Sequence, residues 1–524
     1  MTTWRQSFYA LLHPRVITML FFGLSAGIPL LLIFSSLGLW LREAGVERTA
    51  VTFFSWAALG YSFKFVWAPI VDFLPVPFLS KYLGRRRSWI LISQIAVILS
   101  ICMMAITDPA SGDMQLKIMA LAAVALGFSS ATQDIVIDAY RIESAPIKLQ
   151  ALMSSTYIAG YRIGMIISGA GSLFIASYFG SEMNSYNYEA WKTTYFIMGL
   201  FMFIGIATTL IINEPEENKI IEKKYSNYVY VKFFMVFVLS IFCFIFIFLL
   251  SSDFSSYLKN TLTEILGNKN LSSFFIELLR LFFAFSIASL VAILSIKIKF
   301  IEKKVFIESY ISPVIDFFQR YGMQLALFLL ILIGLYRISD IVLGVISNIF
   351  YQDLGFSKVE IATIVKTYGL AMTIAGGFLG GILSMKYGVL RILYLGAFLT
   401  IATNLLFMFL SIYGYNIPLL YFVISADNLS AGIASAAFVA FLSRLTNISF
   451  TAMQYAIFSS LMTLLPKIIG GYSGSIVENI GYTNFFLFAS LLGVPVLLVI
   501  FYVNKYLKFD AEKNYELNIE HNSS

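Results

Sequence analysis

Histidine is almost absent from this 524-residue chain: His13 and His521 lie near its two ends and nowhere else. A histidine-based metal site, triad or proton relay inside the protein is thereby excluded. Cysteine is equally scarce. Cys102 and Cys243 each sit in an apolar run, too few for a disulfide framework or a zinc cluster, and they read as buried apolar thiols. A Gly-rich Walker loop is missing, so an ATP-driven pump would need its ATPase from another chain. Charge is thin as well, at 12% of residues against about 25% in an ordinary soluble domain. Hydrophobic residues make up 59%, and mean hydropathy is +0.83. No soluble core absorbs that much apolar surface, so a soluble enzyme is excluded and lipid is the expected surrounding. No enzymatic activity, metal, cofactor or nucleic acid is expected. The net charge of +7 belongs in basic loops that face the cytoplasm and anionic lipid.

A helical span needs roughly 20 apolar residues. Runs of that kind predict spans near 16–40, 50–71, 88–106, 116–140, 150–178 and 192–213. Two more follow near 230–251 and 276–297, and six near 322–348, 359–384, 391–412, 417–443, 453–476 and 483–504. The expected fold is therefore an all-α polytopic membrane protein of about 14 transmembrane helices. Residues 1–213 form an N-terminal six-helix half and 321–508 a C-terminal one. Residues 214–320 form a linker holding an extra transmembrane hairpin, and 509–524 a disordered cytoplasmic tail. Lys81 with Arg85, Arg86 and Arg87, Arg141 with Lys148, Lys386 with Arg391, and Arg444 fall on one side of the membrane, together with Arg5, Arg15, Lys505 and Lys508. The positive-inside rule then puts both termini in the cytoplasm. The stretch before residue 16 leads directly into a span without a small-residue cleavage site, so no cleavable signal peptide is expected.

The halves resemble each other weakly. Lys64 and Arg141 in the first are answered by Lys366 and Arg444 in the second, and Gly169 and Gly171 by Gly471 and Gly474. Duplicated halves predict a site between them at mid-membrane. Ionisable residues inside spans are costly and mark such sites. Lys64, Arg162, Arg337 and Asp427 fall near the middle, with Asp340 and Lys366 somewhat outside it. Four cations against two anions suit an anionic substrate, although Arg337 and Asp340, at i and i+3, can pair with each other. Asp134, Asp138 and Arg141 share one helical face at i, i+4 and i+7. Two carboxylates that close repel, and binding a proton relieves the repulsion. The face suits a proton carrier, and equally a cytoplasmic gate bridged to arginines. Without histidine, Asp134, Asp138 and Asp427 are the candidates for proton coupling.

Asp72, Gly84, Arg85, Arg86 and Arg87 form an acid-then-basic-loop pattern between the second and third spans. It is similar to the loop signature of major facilitators, whose usual role is a conformational latch; plain positive-inside topology is the alternative. All 6 tryptophans lie in the first half. Trp40, Trp89 and Trp191 read as interface anchors. Trp56 and Trp67 could stack on a sugar ring, with packing the simpler reading. The runs Gly23–Gly27 and Gly376–Gly381 permit close helix approach.

Several motifs fall in order: FKFVWAPIVD at 63–72, GRRRSW at 84–89, ATQDIVIDAYR at 131–141 and GYRIGMIISGAG at 160–171. The second half adds LYRISD at 335–340, VKTYGL at 365–370 and ASAAFVAFLSRLTN at 434–447. Together they resemble the AmpG muropeptide permeases of the major facilitator superfamily, which also includes acetyl-coenzyme A transporters. The resemblance runs from about residue 11 to 504, apart from the hairpin. It implies the major facilitator fold in the bacterial inner membrane. It implies proton-driven import of N-acetylglucosamine–anhydro-N-acetylmuramic acid and its peptides, serving cell-wall recycling and β-lactamase induction. Asp134, Asp138 and Asp427, the residues expected to couple protons or gate, match its motifs. Substrate contact falls to Lys64, Gln133, Tyr161, Arg162, Arg337, Asp340, Lys366 and Asn428. Arg337 stands where the family commonly has lysine, and Asp427 where glutamate is common. A planar two-pronged cation and a shorter acid both bear on substrate choice. The partners expected are an anionic glycopeptide, protons and lipid, with the chain acting as a monomer. The alternative is a transporter for another anion, such as acetyl-coenzyme A, a nucleotide or a peptide.

Overall fold

The computed structural model describes residues 9–46, 59–181, 185–215, 225–267, 269–470 and 473–507. Trp56, Gly471, Arg5, the start of the second expected span and the 509–524 tail lie outside these. Two compact units emerge. One holds Met1–Val71, Pro75–Lys219 and Asp316–Ser524; the other holds Asp72–Leu74 and Ile220–Ile315. Among the described residues, 11 helices are long and apolar enough to cross a membrane.

In the first unit the N-terminal helices are α1 (Pro14–Glu43), α2, α3 (Arg85–Ala105), α4 (Asp113–Glu143), α5 (Leu149–Tyr178) and α6 (Tyr188–Ile211). Helix α2 consists of Leu59–Phe63, a 3-10 turn at Lys64–Val66 and Ala68–Phe73. The second unit carries α7 (Asn227–Leu250), α8 (Ser252–Leu266) and α9 (Lys269–Lys297). The C-terminal helices follow: α10 (Ser312–Leu335), α11 (Ile338–Asp353), α12 (Ile361–Tyr387), α13 (Val389–Tyr413), α14 (Ile417–Leu445), α15 (Thr451–Gly470) and α16 (Ser473–Tyr506).

Apolar contact alone does not drive helices together in lipid, so small residues decide which backbones meet. Helix α1 packs on α5 in this way. A Cβ at Gly23 would stand 2.1 Å from the Tyr157 carbonyl oxygen, and one at Gly160 would stand 2.0 Å from that of Leu20. The same device joins α12 to α14, where a Cβ at Gly376 would meet the Leu429 carbonyl at 2.2 Å. Helix α12 also touches α5 across the halves, since a Cβ at Gly381 would lie 2.2 Å from the Ser155 hydroxyl oxygen.

Two expectations change. Trp40 and Trp191 are not interface anchors. They are fully buried and stacked, with ring centroids 5.7 Å apart. Their indole N–H groups donate to Tyr186 and Glu43, which lets both rings enter a core without an unpaired donor. The inserted segment is also more than a hairpin. The amphipathic α8, closed by Gly267 in a left-handed conformation, separates α7 from α9.

Candidate functional site

The acidic face of α4 is buried as one piece. The Lys64 ammonium lies 3.9 Å from Asp138, and the Arg141 guanidinium 3.2 Å from the other Asp138 oxygen. Lys64 can reach it because the 3-10 turn breaks α2 at that residue. One Arg141 nitrogen also donates to Ser154 on α5 and to Ser443 on α14, both at 2.8 Å. Its guanidinium stands over the Tyr455 ring of α15 at 5.3 Å. Arg141 therefore ties the two halves together at the end of the bundle that carries Gly84–Arg87. Asp134, one turn deeper, accepts a hydrogen bond from Tyr157 at 3.2 Å. Tyr61 and Tyr161 lie within its electrostatic reach.

A second group sits in the C-terminal half. The chain leaves its helix at Arg337, between α10 and α11 (φ −96°, ψ 6°), and this break frees the side chain to turn inward. Arg337 pairs with Asp340, with its Nε at 3.1 Å, and donates to Ser435 at 2.9 Å. Asp340 lies in the first turn of α11, where the helix dipole favours an acid. Thr403 donates to Asp427 at 3.3 Å, and Asp340 is electrostatically close to that carboxylate. Arg162 on α5 is within electrostatic reach of Arg337 and Asp340, which brings a cation of the first half to the C-terminal cluster.

Lys366 stands exposed on a π-helical stretch, Ile361–Tyr368, at the start of α12. Such stretches are unusual and often accompany functional sites. Among the described residues, neither Arg162 nor Lys366 has an acidic partner within 4 Å, whereas Lys64 and Arg337 are paired. Two residues from the expected substrate set bind their neighbours instead. Gln133 is fully buried and donates to Ser25 of α1 at 3.1 Å. Asn428 accepts from Thr373 at 2.8 Å and donates to the Ile424 carbonyl. Trp67 donates to Thr132 and packs on Phe128.

The basic loop is built into the fold. Arg86 is fully buried, forks onto both oxygens of Glu143 and donates to the Val71 carbonyl at 3.2 Å. Glu214, just after α6, accepts from the backbone N–H groups of Arg86 and Arg87 at 2.8 and 3.0 Å, capping the start of α3. Burial raises the Glu214 carboxyl above the ordinary range, while these two N–H donors pull it back. Arg87 donates to the Thr209 and Leu210 carbonyls at the end of α6. Arg85 is half-buried beside them, and Asp72 is buried at the end of α2. Gly84 has φ +86°, and a Cβ there would lie 2.4 Å from the Glu214 side chain. Gly84→Ala is therefore expected to lower the melting temperature in detergent, with loss of folded yield. Unchanged melting would show that the Glu214 cap is dispensable.

Sequence reasoning missed Glu143, Glu214, Tyr61, Tyr157, Tyr455, Ser443, Ser435 and Thr403. Glu143 carried a signal, being a second acid two residues past Arg141 near a basic loop. The tyrosines and hydroxyls carried none, because such residues are common throughout these spans. Asp316 and Arg320 read only as part of a charged linker. They form a network with Gln454 and Asn447 at the ends of α10, α14 and α15.

A bundle of this kind, with buried charge between two halves, defines a membrane transporter. The Major Facilitator Superfamily profile matches residues 15–339 and 329–517, and the chain belongs to that superfamily. Its fold is similar to that of a proton:xylose symporter solved with 6-bromo-6-deoxy-D-glucose. The TM-score is 0.55 at 12% identity, covering 95% of this chain and 96% of that one. A relative from Rickettsia felis that carries the name transporter AmpG 4 is 29% identical, over 94% of this chain and 97% of the relative. The anhydromuropeptide permease of Escherichia coli K12 is 26% identical, over 95% of this chain and 81% of the permease.

Proposed function

We propose that this transporter imports anhydro-muropeptides from periplasm to cytoplasm by proton symport, for cell-wall recycling. The observation that carries the reading is a pair of cations that, among the described residues, have no acidic partner within 4 Å: Arg162 on α5 and Lys366 on α12, one on each half. A muropeptide offers peptide carboxylates for such cations and sugar rings for flanking aromatics. Tyr61 and Tyr161 are aromatics within electrostatic reach of Asp134. Arg337, held by Asp340, adds a fixed two-pronged donor. Gln133 and Asn428 act by positioning helices, since their amides engage Ser25 and Thr373. Lys64 acts through Asp138. The residues from Gly84 to Arg87, with Asp72, act as the latch of the N-terminal half. The basic loops support a cytoplasmic location for this end and for both termini.

Proton coupling falls to Asp134 and Asp427, which accept hydrogen bonds from the neutral hydroxyls of Tyr157 and Thr403. Each can take up a proton without stranding a cation. Asp138 holds two cations and is the gate residue. The second reading, transport of another anion, rests on the same two cations, which suit an acyl-coenzyme A or a nucleotide equally well.

Proteoliposomes separate these readings. Anhydro-muropeptide should accumulate under an inward proton gradient and fall to equilibration when a protonophore is added. Sodium-driven uptake insensitive to the protonophore would remove the proton part of the reading. Uptake of a nucleotide or acetyl-coenzyme A with no muropeptide uptake would replace the substrate.

A further inference from the structure

The inserted unit carries a feature that substrate transport does not use. Helix α9 ends at Lys297, and the chain then reverses within a few residues. The Phe300 N–H donates to the Ser295 carbonyl at 2.9 Å, and the Lys299 N–H to that of Ile296 at 3.0 Å. This paired closure puts Lys299 at φ +59°, in the left-handed region where glycine fits best. A lysine stands there instead. The reversal brings the short helix Lys303–Phe306 and the π-helical turn Ile307–Ile311 back against the last turn of α9.

A cleft of about 370 Å³ opens between them. That volume falls within the roughly 300–1,000 Å³ usual for ligand sites. Its walls are almost wholly apolar: Ile293, Ile296, Phe306, Ile307 and Ile311, with Lys297 and Lys303 completing the lining. More positive charge gathers at the same end. Lys299 and Lys304 are exposed, and Lys232 on α7 lies over the Phe300 ring at 5.1 Å. The acids nearby are Glu302, which is exposed, and Glu308, which accepts a hydrogen bond from the Tyr225 hydroxyl. Five lysines thus face two acids around an apolar cleft. Helix α9, which lines it, and α7 of the same unit expose Phe234, Phe242, Phe246, Phe282 and Phe283, as helices bordering acyl chains do.

We propose that this cleft is a binding site for an anionic membrane phospholipid. One acyl chain lies against the isoleucines and Phe306, and the phosphate sits among Lys297, Lys299 and Lys303. Apolar walls without the lysines would fit any lipid. Lysines without the walls would fit any soluble phosphate. The combination selects a lipid that carries both features. This assignment does not depend on which substrate the transporter carries.

The full chain, purified in mild detergent, is to be titrated with phosphatidylglycerol and with phosphatidylethanolamine of the same acyl chains. Bound lipid is counted by native mass spectrometry. The wild type is expected to hold one phosphatidylglycerol at least about tenfold tighter than phosphatidylethanolamine. Lys297→Gln with Lys303→Gln should erase that preference, while Lys505→Gln, which removes a lysine outside the unit, should leave it. Ile293→Glu should lose the lipid with the lysines intact. All these positions are exposed, and size-exclusion profiles identify any variant that fails to fold. A preference that survives the double lysine change would overturn the site. So would competition by soluble glycerol phosphate at the same concentration, because it would mean that no acyl chain is held.

Discussion

Arg141→Leu is expected to reduce both net uptake and counterflow exchange by more than about a hundredfold. The side chain is fully buried and bonded within its own half to Asp138 and Ser154, and across the halves to Ser443. Among the described residues, removing it leaves Lys64, at 3.9 Å, as the ion-pair partner of Asp138. Breaking a buried charge network by deleting one partner costs about 3–5 kcal/mol. Arg141→Lys should retain part of the activity, since it restores the charge but not the fork that reaches Ser154 and Ser443 together. A cross-link reads the geometry directly. Both serine oxygens lie 2.8 Å from one Arg141 nitrogen, so a short bis-methanethiosulfonate reagent should bridge cysteines placed at 154 and 443 once Cys102 and Cys243 are replaced. The cross-link should arrest transport, and reducing it should restore transport. Free turnover with the cross-link in place would mean that this contact does not open during the cycle.

The three acids Asp134, Asp138 and Asp427 are expected to separate into two kinds. Asp134→Asn and Asp427→Asn keep the shape of the side chain and the hydroxyl that bonds it, from Tyr157 and Thr403 respectively. Uphill accumulation should fall about tenfold or more in each, while counterflow of labelled against unlabelled substrate persists. Asp138→Asn strands Lys64 and Arg141 together, so it should abolish both modes and lower thermal stability. Accumulation and counterflow are measured on the same proteoliposomes, with and without an imposed proton gradient. If all three variants accumulate substrate normally, proton coupling lies elsewhere. If Asp138→Asn keeps counterflow, its role as a gate is wrong.

The spans were legible because lipid imposes a length and a composition on any helix that crosses it. The deep charges were legible for the related reason that lipid penalises them. Asp134, Asp138 and Arg141 also declared their common face by spacing alone. Their partners were hidden. Ser443 and Tyr455 come from elements far away in sequence, Tyr157 comes from the next helix, and hydroxyl-bearing residues are cheap anywhere in a bundle. Trp40 and Trp191 misled, because an indole near the end of a span looks the same whether it meets a headgroup or a second indole. Only the fold shows that Glu43 and Tyr186 accept their N–H groups. Helix α8 was unreadable as a span, since its polar face and short length place it outside the pattern that lipid selects.

We propose that Arg162 and Lys366 contribute to a site that takes an anhydro-muropeptide into the cell. The most direct measurement expresses this protein in a bacterium that lacks its own muropeptide permease and determines intracellular anhydro-muropeptides by mass spectrometry. Restored accumulation with the wild type, lost with Arg162→Gln or Lys366→Gln at equal membrane levels, is the expected result. No accumulation from folded, membrane-inserted wild-type protein would contradict the substrate and leave a major facilitator for a different anion.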